Sequence, residues 1–149
     1  MGTRSSIIIA NPKGDFTGVY CHWDGYPSHN GRMLLEHYST KGKARELVRL
    51  GALSSLGERA KPINPAAHSF NSKEEGTTVA YHRDRGEPWA DVKPDTRETL
   101  SELVNLADQC WCEYVYLFWN GHWSYNTISN AVEGEPWKPL TQENTAYDH

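Results

Sequence analysis

Three cysteines, three phenylalanines and two methionines are few for a chain of 149 residues. Each shortage excludes something. Cys21, Cys110 and Cys112 are odd in number, unlike the paired framework of a small secreted domain. Cys110 and Cys112 stand one residue apart rather than two, and no second cysteine pair or closely spaced histidine pair completes a zinc module. No metal and no cofactor are expected. Ile7 to Ala10 is far too short for a membrane span or for the apolar stretch of a signal peptide. The expectation is a cytoplasmic protein with no membrane partner. Positive charge is also scarce, with 15 Lys and Arg against 19 Asp and Glu and a net charge of −4. Basic residues gather only in Lys41-Gly-Lys-Ala-Arg45 and at Arg83 and Arg85. A nucleic-acid polymer calls for a clustered positive excess, so such a partner is disfavoured. A small phosphorylated ligand needs only one or two arginines and some backbone N–H groups. Nucleophilic catalysis finds no anchor, because there is no Gly-x-Ser-x-Gly elbow and no phosphate-binding glycine loop ending in Gly-Lys-Ser or Gly-Lys-Thr.

What the chain does have is six tryptophans and eight tyrosines. Their apolar bodies and polar tips suit a small core and a ligand pocket equally. Turn residues and periodicity divide the chain as β-β-α-α-β-α-β-β. Ser5–Ala10 and Phe16–Trp23 read as a hairpin around Asn11-Pro-Lys-Gly-Asp15. Helices are expected over about 29–39, with Ser28 as N-cap, and over about 43–50. Gly51 to Gly57 reads as a helix end, 58–76 as a long loop and Thr77–Arg83 as a strand. Asp95-Thr-Arg-Glu98 has capping-box spacing ahead of Leu100, Leu103, Val104 and Ala107. Asn120-Gly121 joins Glu113–Trp119 to His122–Thr127 in a second hairpin. The fold class expected is α+β, with a mainly antiparallel sheet of two hairpins plus one strand and about three helices. Residues 1–132 form one domain on this reading. The polar segment 133–149 is a tail, disordered or in contact with a partner.

Three clusters carry candidate chemistry. The first is Tyr20, His22, Trp23, Asp24 and Tyr26, with His29 close behind. Rings there can stack on a base, and His22 and Asp24 can read polar edges or act as an acid/base pair. Equally, Asp24-Gly25 is a turn and the rings are packing. Period two puts Val19, Cys21 and Trp23 on one face, the core face, and Tyr20 and His22 on the other. That assignment favours Tyr26 over Trp23 as a stacking ring. The second cluster is the stretch Tyr81–Trp89, with His82, Arg83, Arg85 and Trp89 as its candidate ligand residues. Two arginines at a strand end can hold an anion, or can pair with Asp84 and Glu87. They share a face only if the strand runs through both. The third is Phe118 to Tyr125, where aromatic pairs stabilise a hairpin.

Several stretches together resemble a family of small, uncharacterised proteins of bacteriophages and prophages. They are Gly2-Thr-Arg-Ser-Ser, Tyr20-x-His-Trp-Asp-Gly-Tyr-Pro27 with Gly31, Leu35 and Tyr38, Leu53-Ser-Ser-Leu-Gly57, and Tyr81-x-Arg-Asp-Arg-Gly-Glu87. The resemblance covers most of residues 1–118 and brings a genomic setting rather than catalytic residues. Small accessory phage proteins often antagonise host defence, and some sequester the nucleotide signals that defence systems make. The resemblance thus implies a phage protein of the infected host cytoplasm. The expected function is a homo-oligomer that binds and sequesters such a nucleotide-derived signal. An enzyme that degrades the signal, and a direct inhibitor of a host defence protein, remain alternatives.

Overall fold

The computed structural model describes residues 2–146. A mixed sheet of eight strands forms the middle layer, in the order β4-β3-β2-β1-β6-β7-β8, with β5 also paired to β2. The strands β1 (Ser5–Ala10) and β2 (Phe16–Cys21) make the expected hairpin, with Ser5 opposite Cys21. β6 (Tyr114–Trp119) and β7 (His122–Thr127) make the second, turning through Asn120 and Gly121 at φ 54° and 82°. An Asn-Gly turn of this kind requires positive φ at both positions. Five of the seven strand pairings are antiparallel; β1 with β6 and β2 with β3 (Leu53–Ser55) are parallel.

Apolar alternation along the central strands buries both sheet faces, which is why helices cover both. Ile7, Ile9, Val19, Cys21, Tyr116 and Phe118 face α1 (Arg32–His37) and α2 (Lys41–Val48). Ile8, Val115 and Leu117 face α5 (Leu100–Gln109) and α6 (Ile128–Val132). Two further short helices, α3 (Tyr81–Arg85) and α4 (Trp89–Val92), flank β3 and its neighbour β4 (Val79–Ala80). The described residues hold six helices, not about three, and the sheet is less antiparallel than expected.

Five other expectations are corrected. Gly51 to Gly57 does not merely end a helix: Leu53–Ser55 pairs with β2 and with β4. The strand read over 77–83 stops at Ala80 and becomes helix at Tyr81, capped by Gly86 at φ 75°. Asp95 does not cap α5. It begins the strand β5 (Asp95–Arg97), and Thr99 caps the helix by accepting from the Glu102 N–H at 3.2 Å. Ser28 is not an N-cap either, because a π turn over Pro27–Gly31 precedes α1. The segment after residue 132 docks on its own domain. β8 (Lys138–Pro139) pairs with β7, Leu140 and Thr145 are buried, and Arg32 donates to the Thr145 carbonyl at 3.1 Å. Tyr147, Asp148 and His149 of the expected tail lie outside the described residues. The long 58–76 loop is organised by Glu74, whose carboxylate accepts from the N–H groups of Ile63 and Asn64 at 2.7 and 2.8 Å.

Candidate functional site

The Tyr20–Gly31 segment is wired largely to itself and to the amino-terminal strand. Asn30 is fully buried at its centre, with Nδ2 donating to the Ser5 hydroxyl at 3.2 Å and to the Trp23 carbonyl at 3.3 Å. Asp24 takes φ 56°, its carbonyl accepts the Asn30 N–H, and Tyr26 donates its hydroxyl to the Asp24 carboxylate at 3.1 Å. Gly25 donates to the Thr3 carbonyl at 2.7 Å, and a Cβ there would lie 2.8 Å from Ser5 Cβ. That close approach admits only glycine. Asp24 and Tyr26 are thus partners of one another within the turn.

Tyr20 faces the α5 side, as alternation along β2 requires. The Tyr20 hydroxyl lies 2.7 Å from His22 Nδ1. Burial pushes the Tyr20 phenol up to about 12. Burial first, and then Arg4, hold His22 below its ordinary range. Both shifts favour the neutral pair, in which the imidazole tautomer decides which group donates. Arg4 precedes Ser5, the partner of Cys21, so alternation puts it on the same face opposite His22. Its side chain is half-buried and has no hydrogen-bond or ion-pair partner among the described residues. Trp23 was expected in the core, yet it is 43% exposed and edge-on to His22 at 4.7 Å. The strand ends at Cys21, so alternation no longer controls its direction.

β3 joins this cluster to the second one. The His22 N–H donates to Leu53 on one edge of β3, and the Tyr81 N–H donates to Ala52. Arg83 is committed to the fold: Nη1 donates to the Ala60 carbonyl and Nη2 to the Thr78 carbonyl, both at 2.6 Å, and Nε to Asp84 at 2.9 Å. Asp84 is buried and also accepts the Ala80 N–H at 2.8 Å. Burial alone would raise its carboxyl, but Arg83, the Ala80 N–H and His68 outweigh that and hold it below the ordinary value. Two residues apart on a helix, Arg83 and Arg85 diverge, so the two arginines do not form one anion clamp. The Arg85 guanidinium lies 4.6 Å from the Phe70 ring centre and 4.8 Å from that of Tyr81, with Nε donating to Glu87 at 2.8 Å. His82 bonds the Glu87 carbonyl at 2.7 Å and meets the Trp89 ring edge-on at 5.0 Å.

A cleft of about 390 Å³ collects parts of both motifs, with Tyr20, Tyr81 and Arg85 on its walls beside Glu87, Lys93 and Asp95. Arg4 and Phe70 are the neighbours missed at the level of sequence, whereas Tyr81 opened the second cluster without being named a ligand residue. Arg4 was legible from hairpin register, whereas Phe70 sits in a long loop with no local signal. Among the described residues, no three His, Cys, Asp or Glu side chains gather as a metal would need. The chain matches no protein-family model, no curated protein and no solved structure.

Proposed function

We propose that the protein binds a small, ring-bearing anion of the nucleotide class in the cleft between β2 and α3, and holds it without breaking it. The observation that carries this reading is the meeting of Tyr20 with Tyr81 and Arg85 on the walls of one cleft, two sequence motifs brought to either side of Leu53–Ser55. Tyr81 supplies a ring and Arg85 a partly exposed cation (its side chain is 48% exposed). His22 is bonded to the Tyr20 hydroxyl, and Arg4, whose side chain has no hydrogen-bond or ion-pair partner among the described residues, stands opposite His22 in the β1–β2 register. The acids on the walls, Glu87 and Asp95 among them, select against a ligand that is charge all over and favour one with a single anionic end. Asp24, Arg83, Asp84 and His82 are engaged by protein partners, which supports holding a ligand over attacking one. The phage resemblance supplies the setting: sequestration of a nucleotide-derived defence signal in the infected host cell, with a homo-oligomer as the assembly.

The test is to incubate the purified protein with cyclic dinucleotides and ADP-ribose-type nucleotides, heat it, and weigh the released compound by mass spectrometry. The expected result is a raised melting temperature for at least one compound, with intact recovery, and loss of both in Tyr81→Ala/Arg85→Ala. Release of fragments would replace this reading with the enzymatic one. If no nucleotide shifts the melting temperature, the binding reading fails.

A further inference from the structure

Another large cavity lies at the opposite end of the sheet from that cleft. We infer that it is a second binding site, for a nucleotide carrying two or more phosphates. The cavity measures about 590 Å³ and opens at the carboxyl ends of the neighbouring parallel strands β1 and β6, between their turns and α2. Such crevices are where sheets with parallel strands place ligands. A smaller hollow of about 210 Å³ continues it, sharing Ile9, Asn11 and Arg45. Lys41 and Arg45 line the first, and Arg45 and Arg49 the second. These three stand four residues apart on one side of the helix and make a row of cations about 12 Å long. None has an ion-pair or hydrogen-bond partner for its side chain among the described residues. No Asp or Glu lines either hollow, although the chain as a whole carries −4. The first cleft, by contrast, mixes acids with its cations.

A row of unpaired cations without a carboxylate nearby is costly through self-repulsion, and phosphate groups along it relieve that cost. The floor is apolar, with Ile9, Ala44 and Phe118, and Trp119 stands at the rim 65% exposed. Its ring is available to stack on a base while Lys41, Arg45 and Arg49 take the phosphates. Thr40 already accepts the Lys43 N–H at 3.2 Å, so the side-chain cations rather than the helix start carry the charge recognition.

ATP, AMP, adenosine and pyrophosphate are the probes, followed by calorimetry and by Trp fluorescence. ATP is expected to bind and quench fluorescence, pyrophosphate to compete, and AMP to bind more weakly. Adenosine should show no binding. Lys41→Gln/Arg45→Gln should weaken ATP by roughly tenfold or more, the loss of charged hydrogen bonds. Trp119→Leu should abolish the quenching and leave pyrophosphate binding intact. These residues are exposed or half-buried, and an unchanged melting temperature without ligand would show that the variants fold. ATP binding that survives Lys41→Gln/Arg45→Gln, or adenosine binding as tightly as ATP, would overturn the inference. A short oligothymidylate binding more tightly than ATP would also overturn it, in favour of a single-stranded nucleic acid. Tyr81→Ala/Arg85→Ala should not alter ATP binding here, so the two sites fail or survive separately.

Discussion

Asn30 shows how one buried amide can fix a turn. Replacing it with Ala removes the donor to the buried Ser5 hydroxyl and one of the donors to the Trp23 carbonyl. We expect Asn30→Ala to cost about 2 kcal/mol in chemical denaturation. Arg83 follows the same logic with charge. Without it the buried Asp84 carboxylate loses its cation and the Ala60 and Thr78 carbonyls lose their donor, so Arg83→Ala should cost about 3 kcal/mol. If Arg83 instead served mainly to meet a ligand, that substitution would weaken binding and leave denaturation midpoints unmoved. His22 sets a pH dependence. Its folded pKa lies below its ordinary 6.5, so the unfolded chain takes up the proton more readily. The stabilisation from a neutral His22 is therefore complete above about pH 6.5 and is lost as pH falls through the lower folded value. Melting temperature should fall between pH 7 and pH 5, less steeply in His22→Gln. An identical slope in the variant would show that His22 is not responsible. The side chains that make these bonds were readable as a dense polar cluster. Their partners were not, because Ser5, Ala60 and Thr78 meet them only through tertiary packing.

At the scale of elements, Thr99 and Asp95 compete for the start of α5, and the competition is measurable. Thr99→Ala should cost about 1 kcal/mol, since it removes the bond to the Glu102 N–H. Asp95→Ala, in exposed strand, should change stability by less than about 0.5 kcal/mol. Equal effects would restore Asp95 as the cap. Both Asp95-Thr-Arg-Glu98 and Thr99-Leu-Ser-Glu102 have the spacing of a capping box, so local pattern alone does not choose between them. Pairing of Thr17 with Thr96 and of Gly18 with Asp95 chooses, because it holds 95–97 extended. The same reasoning explains Tyr81–Arg85. Its β-rich lead-in reads as strand, but β3 offers β4 only a short edge, and at Tyr81 the chain turns into helix with Asp84 bonding back to the Ala80 N–H.

For the whole molecule, the segment after residue 132 matters to the fold. Leu140 is 6% exposed and belongs to the core on the α1 and α2 side. Leu140→Ala should cost about 2–3 kcal/mol, and hydrogen exchange should quicken in β7, which loses the support of β8. An unchanged melting temperature would mean that the segment is only a tail. What the sequence determined by itself was local: the two hairpins, the amphipathic helix α5 and the separation of Val19 and Cys21 from Tyr20 along β2. Each depends on neighbours within about a dozen residues, where periodicity and turn chemistry act. Tertiary structure alone decided which motifs meet. Leu53–Ser55 is too short to announce itself as a strand, yet it brings Tyr20 and Tyr81 to the walls of one cleft. β1 and β6 lie side by side although more than a hundred residues separate them, and their pairing opens the groove under Lys41, Arg45 and Arg49. Long-range pairing is selected by burial of both sheet faces at once, a condition no local window of sequence contains.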